Sequence, residues 1–412
     1  MRIGFVGLGK LGLPVALAVD CKEHQVYGYD INEEQVKHIL DTAELPYLEE
    51  KANELLEYHG IDFKPLAEVV SISEIIFVPI QTPHNPEYEG VTRIPDSRQD
   101  FDYTYLIDGI KAISKVADEQ NLKRIIVIIS TVLPGTIESK IKPILSPNLQ
   151  LCYNPFFIAM GTTIDDFLNP EFVLLGVDDE EAKDKVKAFY KTIHNRPIYE
   201  TSIKNAELIK VSYNTYIGMK IVFANTIMEI CHKIGADCDA VTGAIKMANK
   251  RLISPMYLTG GMGDGGGCHP RDNIAMSWLA NELNLSHNFF DDIMQARQSQ
   301  TEFLADLMLE HPGPYYVLGK TFKENTNLVT GSPAMLLANI LKERGIEFKH
   351  YDPYLIDTPY DAFGPGTYIV VTKHEAFKRF SFPYPSVIID VWGYLKGHIE
   401  EHNLIKYIPV GR

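Results

Sequence analysis

A single thiol sits at the end of a glycine-rich stretch, Gly260-Gly261-Met262-Gly263-Asp264-Gly265-Gly266-Gly267-Cys268-His269-Pro270, and Arg271-Asp272 adds a guanidinium and a carboxylate directly after it. That is a pattern for a reactive cysteine. Glycines let backbone N–H groups crowd a ligand or a sulfur, and a neighbouring cation favours the thiolate, which is the nucleophilic form. The plain alternative is a flexible loop around a small buried Cys. Upstream, Lys210 and Asn214 lie four residues apart in a run of helical periodicity, so an ammonium and an amide share one helix face. Such a pair could hold the oxyanion formed when a thiolate attacks an aldehyde. Cys268 would then be the nucleophile, because a thiohemiacetal can lose a second hydride and become a thioester.

A second constellation opens the chain. Gly7-Leu8-Gly9-Lys10-Leu11-Gly12 follows the strand-like Ile3–Val6 and precedes a helix from about residue 10, with Asp30 at the tip of the next strand. A lone GxGxxG is weak, but strand, glycines, helix and acid together form the dinucleotide unit. Gly7, Gly9, Leu11 and Gly12 would admit a pyrophosphate to the helix N-terminus. Asp30 would accept from both ribose hydroxyls and repel a 2′-phosphate, which favours NAD over NADP. A glycine turn that binds no nucleotide is the alternative.

These residues need positioning elements. The first third alternates strand and helix, as in a parallel sheet covered on both faces. A polar, proline-punctuated excursion between Thr82 and Phe101 reads as a loop or lid near the sheet edge. From Ser202 to about His232 there is no Pro and a single Gly, which predicts a helix of about 30 residues, roughly 45 Å long. Helices of that length bridge domains or pair with a copy of themselves. After about residue 300 the alternation restarts as a second, smaller doubly wound sheet. The fold class is therefore α/β, two Rossmann-like parallel-sheet domains joined by a helical centre, with expected domains 1–200, 201–300 and 301–412.

A formal net charge of −15 argues against nucleic acid or an anionic membrane as partner. No charged leader and cleavage site precede the first strand, and no apolar run approaches the 18 or so residues that span a bilayer. A cytoplasmic location is expected. Five cysteines without CxxC spacing, and thirteen His without paired spacing, give neither a disulfide framework nor a metal site.

With these pieces placed, the chain resembles the UDP-glucose/GDP-mannose dehydrogenase family along nearly its whole length. Residues 130–136 look like its STVxxGT turn, and Ala206-Glu207 with Lys210 and Asn214 like its AExxKxxxN helix. Gly263 to Asp272 resembles its GxGGxCxPKD loop, with Arg271 in place of Lys. Phe322-Lys323, Ser332-Pro333 and Tyr351-Asp352-Pro353 resemble blocks of its nucleotide-binding domain. The resemblance implies two successive oxidations of the C6 alcohol of a nucleotide sugar, UDP-glucose-like, to a uronic acid. It further implies that Asp272 and Lys210 handle the first proton through water, and that Thr131, on the cofactor side, positions that water. Arg251, Lys323, Gly265 and Tyr257, with Lys320 and Arg271, would meet the substrate, and a homodimer is implied. For Lys210, Asn214 and Asp272 the alternatives are a solvated charge, a surface amide and a helix cap.

The departures are specific. Asn154-Pro155-Phe156-Phe157-Ile158-Ala159-Met160-Gly161 stands where the family has PEFLREG-like segments, so Phe156 and Met160 replace glutamates, the first of which serves as hydrolytic base. Thr330 replaces an arginine before Ser-Pro, and Asn327-Leu328 replaces acidic residues. Three explanations stay open: Asp165, Asp166 or Glu171 supplies the base; Asp264 or His269 does; or the product is an aldehyde, or an acyl group passed to a nucleophile other than water. Two other classes also stay open. One is a two-electron hydroxy-acid or 6-phosphogluconate dehydrogenase type, against which the cysteine loop counts; the other is a non-catalytic NAD- and nucleotide-sugar-binding protein.

Overall fold

In the computed structural model, residues 1–412 are described except 59, 84, 94, 250–258, 264, 284–287, 356–362 and 400–402, and the side chains of 226 and 230. Two compact units result, one of residues 1–83 and 101–212, the other of residues 84–100 and 213–412.

The first unit is built on eight strands, β1 (Arg2–Val6), β2 (Gln25–Tyr29), β3 (Asp62–Phe63), β4 (Ile75–Val78), β5 (Arg124–Ile128), β6 (Leu149–Tyr153), β7 (Val173–Val177) and β8 (Ile198–Thr201). Their order is β3-β2-β1-β4-β5-β6-β7-β8. The first six run parallel, with Ile3 opposite Val26 and Ile75, and only β6–β7 is antiparallel. Strands β1, β4 and β5 are apolar almost throughout and buried, as strands covered on both faces must be. The covering helices are α1 (Gly12–Asp20), α2 (Glu33–Thr42), α3 (Ala52–Tyr58), α4 (Leu66–Ile72), α5 (Thr104–Glu119), α6 (Thr163–Leu168) and α7 (Glu180–Ile193). Phe5 stacks on Phe77 at 5.3 Å between ring centroids, and Phe77 meets Phe189 of α7 at 5.2 Å, so aromatic packing ties sheet to helix. The chain order reverses between β1 and β4, and ligands of such sheets bind where it does, outside the strands' C-terminal ends.

Helix α8 (Ile203–Ile234) runs 32 residues, and the division between units falls within it, after Ser212. It is followed in the second unit by α9 (Cys238–Met247), α10 (Cys268–Glu282), α11 (Phe289–Leu309) and α12 (Pro333–Glu343), and by strands β9 (Tyr315–Leu318), β10 (Phe348–Tyr351), β11 (Gly366–Val370), β12 (Ser386–Asp390) and β13 (Ile405–Pro409). These five strands form an all-parallel sheet of order β10-β9-β11-β12-β13. The core of this unit is apolar side chains of α11, α12 and the sheet, such as Leu304, Leu337, Val317 and Ile389. Two parallel, helix-covered sheets with helices between them along the chain are the architecture expected from sequence.

The excursion between Thr82 and Phe101 is a loop whose contacts are those of the second unit. Arg93 reaches Glu302 of α11 and Glu343 of α12, Arg98 reaches Asp291, and Asn339 donates to the Val91 carbonyl at 2.5 Å. Tyr88 packs with Ile274 and Met294, which lays the loop on α10 and α11. No helix among the described residues is long and apolar enough to cross a membrane.

Candidate active site

In the first unit the glycine turn has the shape its sequence demands. Gly7 takes φ +110°, and a Cβ on Gly12 would overlap the Gly7 carbonyl, so the turn closes only without one. Around Gly9 nothing lies within 4 Å of where a Cβ would be. Helix α1 opens just beyond with no side-chain cap on its first N–H groups, which leaves donors and the positive end of the helix facing that open space. Asp30 accepts from the Leu8 N–H at 2.6 Å and from the Asn32 N–H at 2.8 Å, one per oxygen. A carboxylate has about four lone-pair sites, so it can still accept from a ribose. Gly7, Gly9, Leu11, Gly12 and Asp30 thus fit a dinucleotide.

Thr131 follows β5, half-exposed, its carbonyl accepting from Thr82 Oγ1 at 2.7 Å. Further along the same segment, the Gly135 and Ile137 N–H groups donate to Glu207 at 2.6 and 2.8 Å. Glu207 is 1% exposed; burial raises its carboxyl above the usual range, opposed by these two N–H bonds. Nothing in its sequence context gives Glu207 a role, and in the fold it fastens α8 to the turn that carries Thr131. Lys210, one turn on, is buried, its ammonium 5.3 Å from the ring centroid of Phe157.

That contact separates the two phenylalanines. Phe156, at the position of the family glutamate, meets Phe167 at 5.5 Å and packs on the apolar core of the first unit. Phe157 is the one at the lysine. The proposed substitute bases in this stretch are engaged: Asp165 faces Lys51 at 3.9 Å and accepts from Asn169 at 3.1 Å, and Asp166 accepts from the Ala159 N–H at 2.8 Å and Thr162 Oγ1 at 3.1 Å. Glu171 is exposed.

In the second unit Cys268 is the first residue of α10, whose N-terminus has no side-chain cap. It is the exposed one of the five cysteines. Burial pushes Cys152 up to about 12 and raises Cys21 and Cys238 as well, so those thiols are poor nucleophiles. One turn into α10, Asp272 is fully buried. Its Oδ2 accepts from Asn214 Nδ2 at 2.6 Å, and its Oδ1 accepts from Arg271 Nε at 2.8 Å and pairs with Nη2 at 2.8 Å. Arg271, expected among the substrate contacts, therefore gives two donors to its own neighbour. The forked contact is one that a lysine cannot make. The bond to Oδ2 fixes which way the Asn214 amide points and leaves the second Nδ2 hydrogen to donate elsewhere.

The glycines before Cys268 are set by close packing. Gly261 lies against the Trp392 indole, where any Cβ would overlap the ring. A Cβ on Gly263 would come within 2.5 Å of Pro333 Cβ, and one on Gly266 within 2.9 Å of Phe322 Cε2. Gly265, at φ +108°, sits under the His269 imidazole. The thiol loop thus rests on the segment 319–333 that carries Lys320 and Lys323. That segment is held by Asp352, which accepts from the Lys320 N–H at 2.7 Å, the Thr321 N–H at 3.0 Å and His374 Nε2 at 3.0 Å. Burial acts to raise the Asp352 carboxyl, but these partners win and bring it to about 2. The Lys323 ammonium lies 5.6 Å from the Phe322 ring centroid. Arg251, Tyr257 and Asp264 lie outside the described residues.

Comparison with known proteins decides the family. Profiles of the UDP-glucose/GDP-mannose dehydrogenase family match in succession: its NAD-binding domain over residues 1–194, its central domain over 204–298 and its UDP-binding domain over 316–397. The chain belongs to this family. The UDP-glucose/GDP-mannose dehydrogenases it resembles include GDP-mannose 6-dehydrogenase of Pseudomonas aeruginosa, 26% identical over 369 residues, which are 85% of this chain and 81% of that protein. UDP-glucose 6-dehydrogenase of Rickettsia bellii is 26% identical over 448 aligned positions, covering 100% of this chain and 99% of that one. The solved UDP-glucose dehydrogenase of Pyrobaculum islandicum superposes with a TM-score of 0.85 over 100% of this chain and 97% of that one; at 23% identity it speaks for the fold. The chain is accordingly an NAD-dependent oxidoreductase of the nucleotide-sugar dehydrogenase type, and its cofactor is NAD.

Proposed function

We propose that this enzyme oxidises the C6 alcohol of a UDP-glucose-like nucleotide sugar to the uronic acid through a thioester on Cys268. The observation that carries the reading is Cys268 itself, exposed at the uncapped N-terminus of α10 while burial raises Cys152, Cys21 and Cys238. A simple alcohol oxidation has no use for a thiol, whereas a second oxidation at the same carbon is eased by one, which captures the aldehyde as a thiohemiacetal. NAD, held by Gly7, Gly9, Leu11, Gly12 and Asp30, supplies the hydride acceptor for each oxidation.

The protein's own residues do the rest. Thr131 and Lys210 place the water that takes the first alcohol proton, with Asp272 in the same relay. The Cys268 sulfur adds to the aldehyde carbon, and the Lys210 ammonium and the free Nδ2 hydrogen of Asn214 hold the resulting oxyanion. After the second oxidation, water attacks the thioester carbon, the C–S bond breaks, and thiol and acid are released. Lys323, Gly265, Arg251 and Tyr257 bind the substrate, with Arg251 contributed across a homodimer, and the enzyme acts in the cytoplasm. Residues 1–200 bind the cofactor, 201–300 carry the thiol, and 301–412 bind the nucleotide.

One observation favours a second outcome. Phe156 packs on the core, and Asp165 and Asp166 already have partners, which leaves the exposed Glu171 as the carboxylate of this stretch with no partner among the described residues to replace the family's hydrolytic base. Deacylation is then slow, or the acyl group passes to another nucleophile. NADH formed per sugar consumed, over UDP and GDP sugars, tests both: two NADH with free acid supports the first outcome, two NADH with an acyl group retained on Cys268 supports the second, and one NADH with free aldehyde overturns the thioester.

A further inference from the structure

Helices α8 and α10 face each other in two successive polar rungs within the second unit. In the first, Asn214 donates to Asp272 at 2.6 Å. In the second, one turn further along α8, Gly218 stands opposite Asn273. A Cβ on Gly218 would lie 3.2 Å from Asn273 Nδ2 and 3.9 Å from His269 Cβ, so the amide packs tightly against the bare backbone and would have to give by a few tenths of an ångström to admit a methyl. Asn273 is 0% exposed, and among the described residues neither its Nδ2 nor its Oδ1 has a hydrogen-bond partner. Ser277, the next residue along that face of α10, is already engaged, its carbonyl and Oγ both accepting from Asn288 at 2.9 Å.

A fully buried amide with neither end bonded carries a desolvation penalty with nothing returned, and native proteins rarely keep one without a use. An amide also offers two donors and an acceptor, which is what a bridging water requires. Residues four apart on a helix are about 6 Å apart along its axis, roughly the span of two hydrogen bonds of about 2.8 Å through one water.

We propose that Asn273 holds an ordered water between α8 and α10, hydrogen-bonded to the Asn214–Asp272 pair, and that Asn273 is thereby a positioning residue for the Asn214 amide. Arg271 fixes Asp272 from one side and the Asn273 water fixes the pair from the other. This rests on the reading above, in which Asn214 meets the oxyanion at Cys268.

The test is Asn273→Leu, a substitution of similar size without polar atoms. If the amide were idle, removing it would leave both melting temperature and turnover at or above wild type. The proposal expects an unchanged melting temperature and unchanged NAD affinity, a kcat lower by about 10- to 100-fold and a sugar KM within about twofold, because misplacing one group by a fraction of an ångström costs turnover. Asn273→Asp should add an ionisation to the kcat–pH profile that the wild type lacks. Wild-type turnover in Asn273→Leu overturns the proposal. Cys268→Ser is assayed beside it: if that variant still performs both oxidations, the thioester reading is wrong, whereas a dead Cys268→Ser with an unaffected Asn273→Leu condemns this inference alone. A crystal structure of the wild-type enzyme decides the matter even if the leucine variant fails to fold. Water within about 3.2 Å of Asn273 and of the Asn214–Asp272 pair supports the proposal, and a dry amide overturns it.

Discussion

Replacing Glu207 by alanine should cost stability out of proportion to the one side chain lost. The carboxylate is 1% exposed and accepts the Gly135 and Ile137 N–H groups at 2.6 and 2.8 Å. Alanine leaves both donors buried and unbonded, at about 1–3 kcal/mol each, so a total of roughly 2–6 kcal/mol is expected, or about 4–24 °C in the melting temperature of a unit this size. Glu207→Gln keeps the shape and one acceptor and should lose about half as much. The pH dependence separates both variants from the wild type. Burial raises the Glu207 carboxyl above its ordinary value, so the folded state binds the proton more readily than the unfolded chain. Its contribution is therefore greatest below the unfolded pKa and declines as pH rises through the higher, folded one. The wild type should show this downward slope above about pH 4.5, and Glu207→Gln should lack it. Thermal unfolding between pH 4 and 8 measures both effects. An alanine variant within about 0.5 kcal/mol of wild type would refute the reasoning, because the two N–H groups would then have other partners.

Asp352 titrates with the opposite sign. Its carboxyl is brought to about 2 by His374, Lys320 and Thr321 against the effect of burial, so its stabilisation is present above the unfolded value and is lost as pH falls from about 4 toward 2. Asp352→Asn should destabilise the second unit at neutral pH and flatten its acid unfolding curve, followed by the fluorescence of Trp278 and Trp392, both in that unit; an unchanged curve would count against it. Gly261→Ala forces a methyl into the Trp392 indole and should cost at least about 1–3 kcal/mol. Because the strain falls on the loop that carries Cys268, turnover should drop with NAD affinity unchanged. Equal losses in both would place the strain elsewhere.

What could be read from sequence was what a local pattern dictates. Thirty-two residues of α8 without a proline announce one long helix, and the placement of Gly7, Gly9, Gly12 and Asp30 announces the dinucleotide turn, because both follow from backbone geometry over a few residues. Helix α5 was also available, since Leu106, Ile110, Ile113 and Ala117 recur at helical spacing and are all buried, yet it was not identified. Strand β3, two residues long, leaves no periodicity to detect. The larger misses are tertiary. Nothing local in Gly261 or Gly266 says that Trp392 and Phe322 press on them, so glycines read as room for a ligand are glycines because other side chains fill the space. Likewise two adjacent phenylalanines look alike in sequence, and only the fold turns Phe156 into the core and Phe157 toward Lys210. The pairing of Asn214 with Asp272 joins residues 58 positions apart on two helices, which no spacing rule reaches.

The central claim is that Cys268 carries the substrate as a thioester. Its most direct test is the intact mass of the protein, taken during turnover with NAD and a UDP sugar, together with the NADH released per enzyme. The expected result is an early release of two NADH per active site and an acyl adduct on Cys268, absent from Cys268→Ser. One NADH per sugar with no adduct at any time, or an adduct that persists in Cys268→Ser, would contradict it.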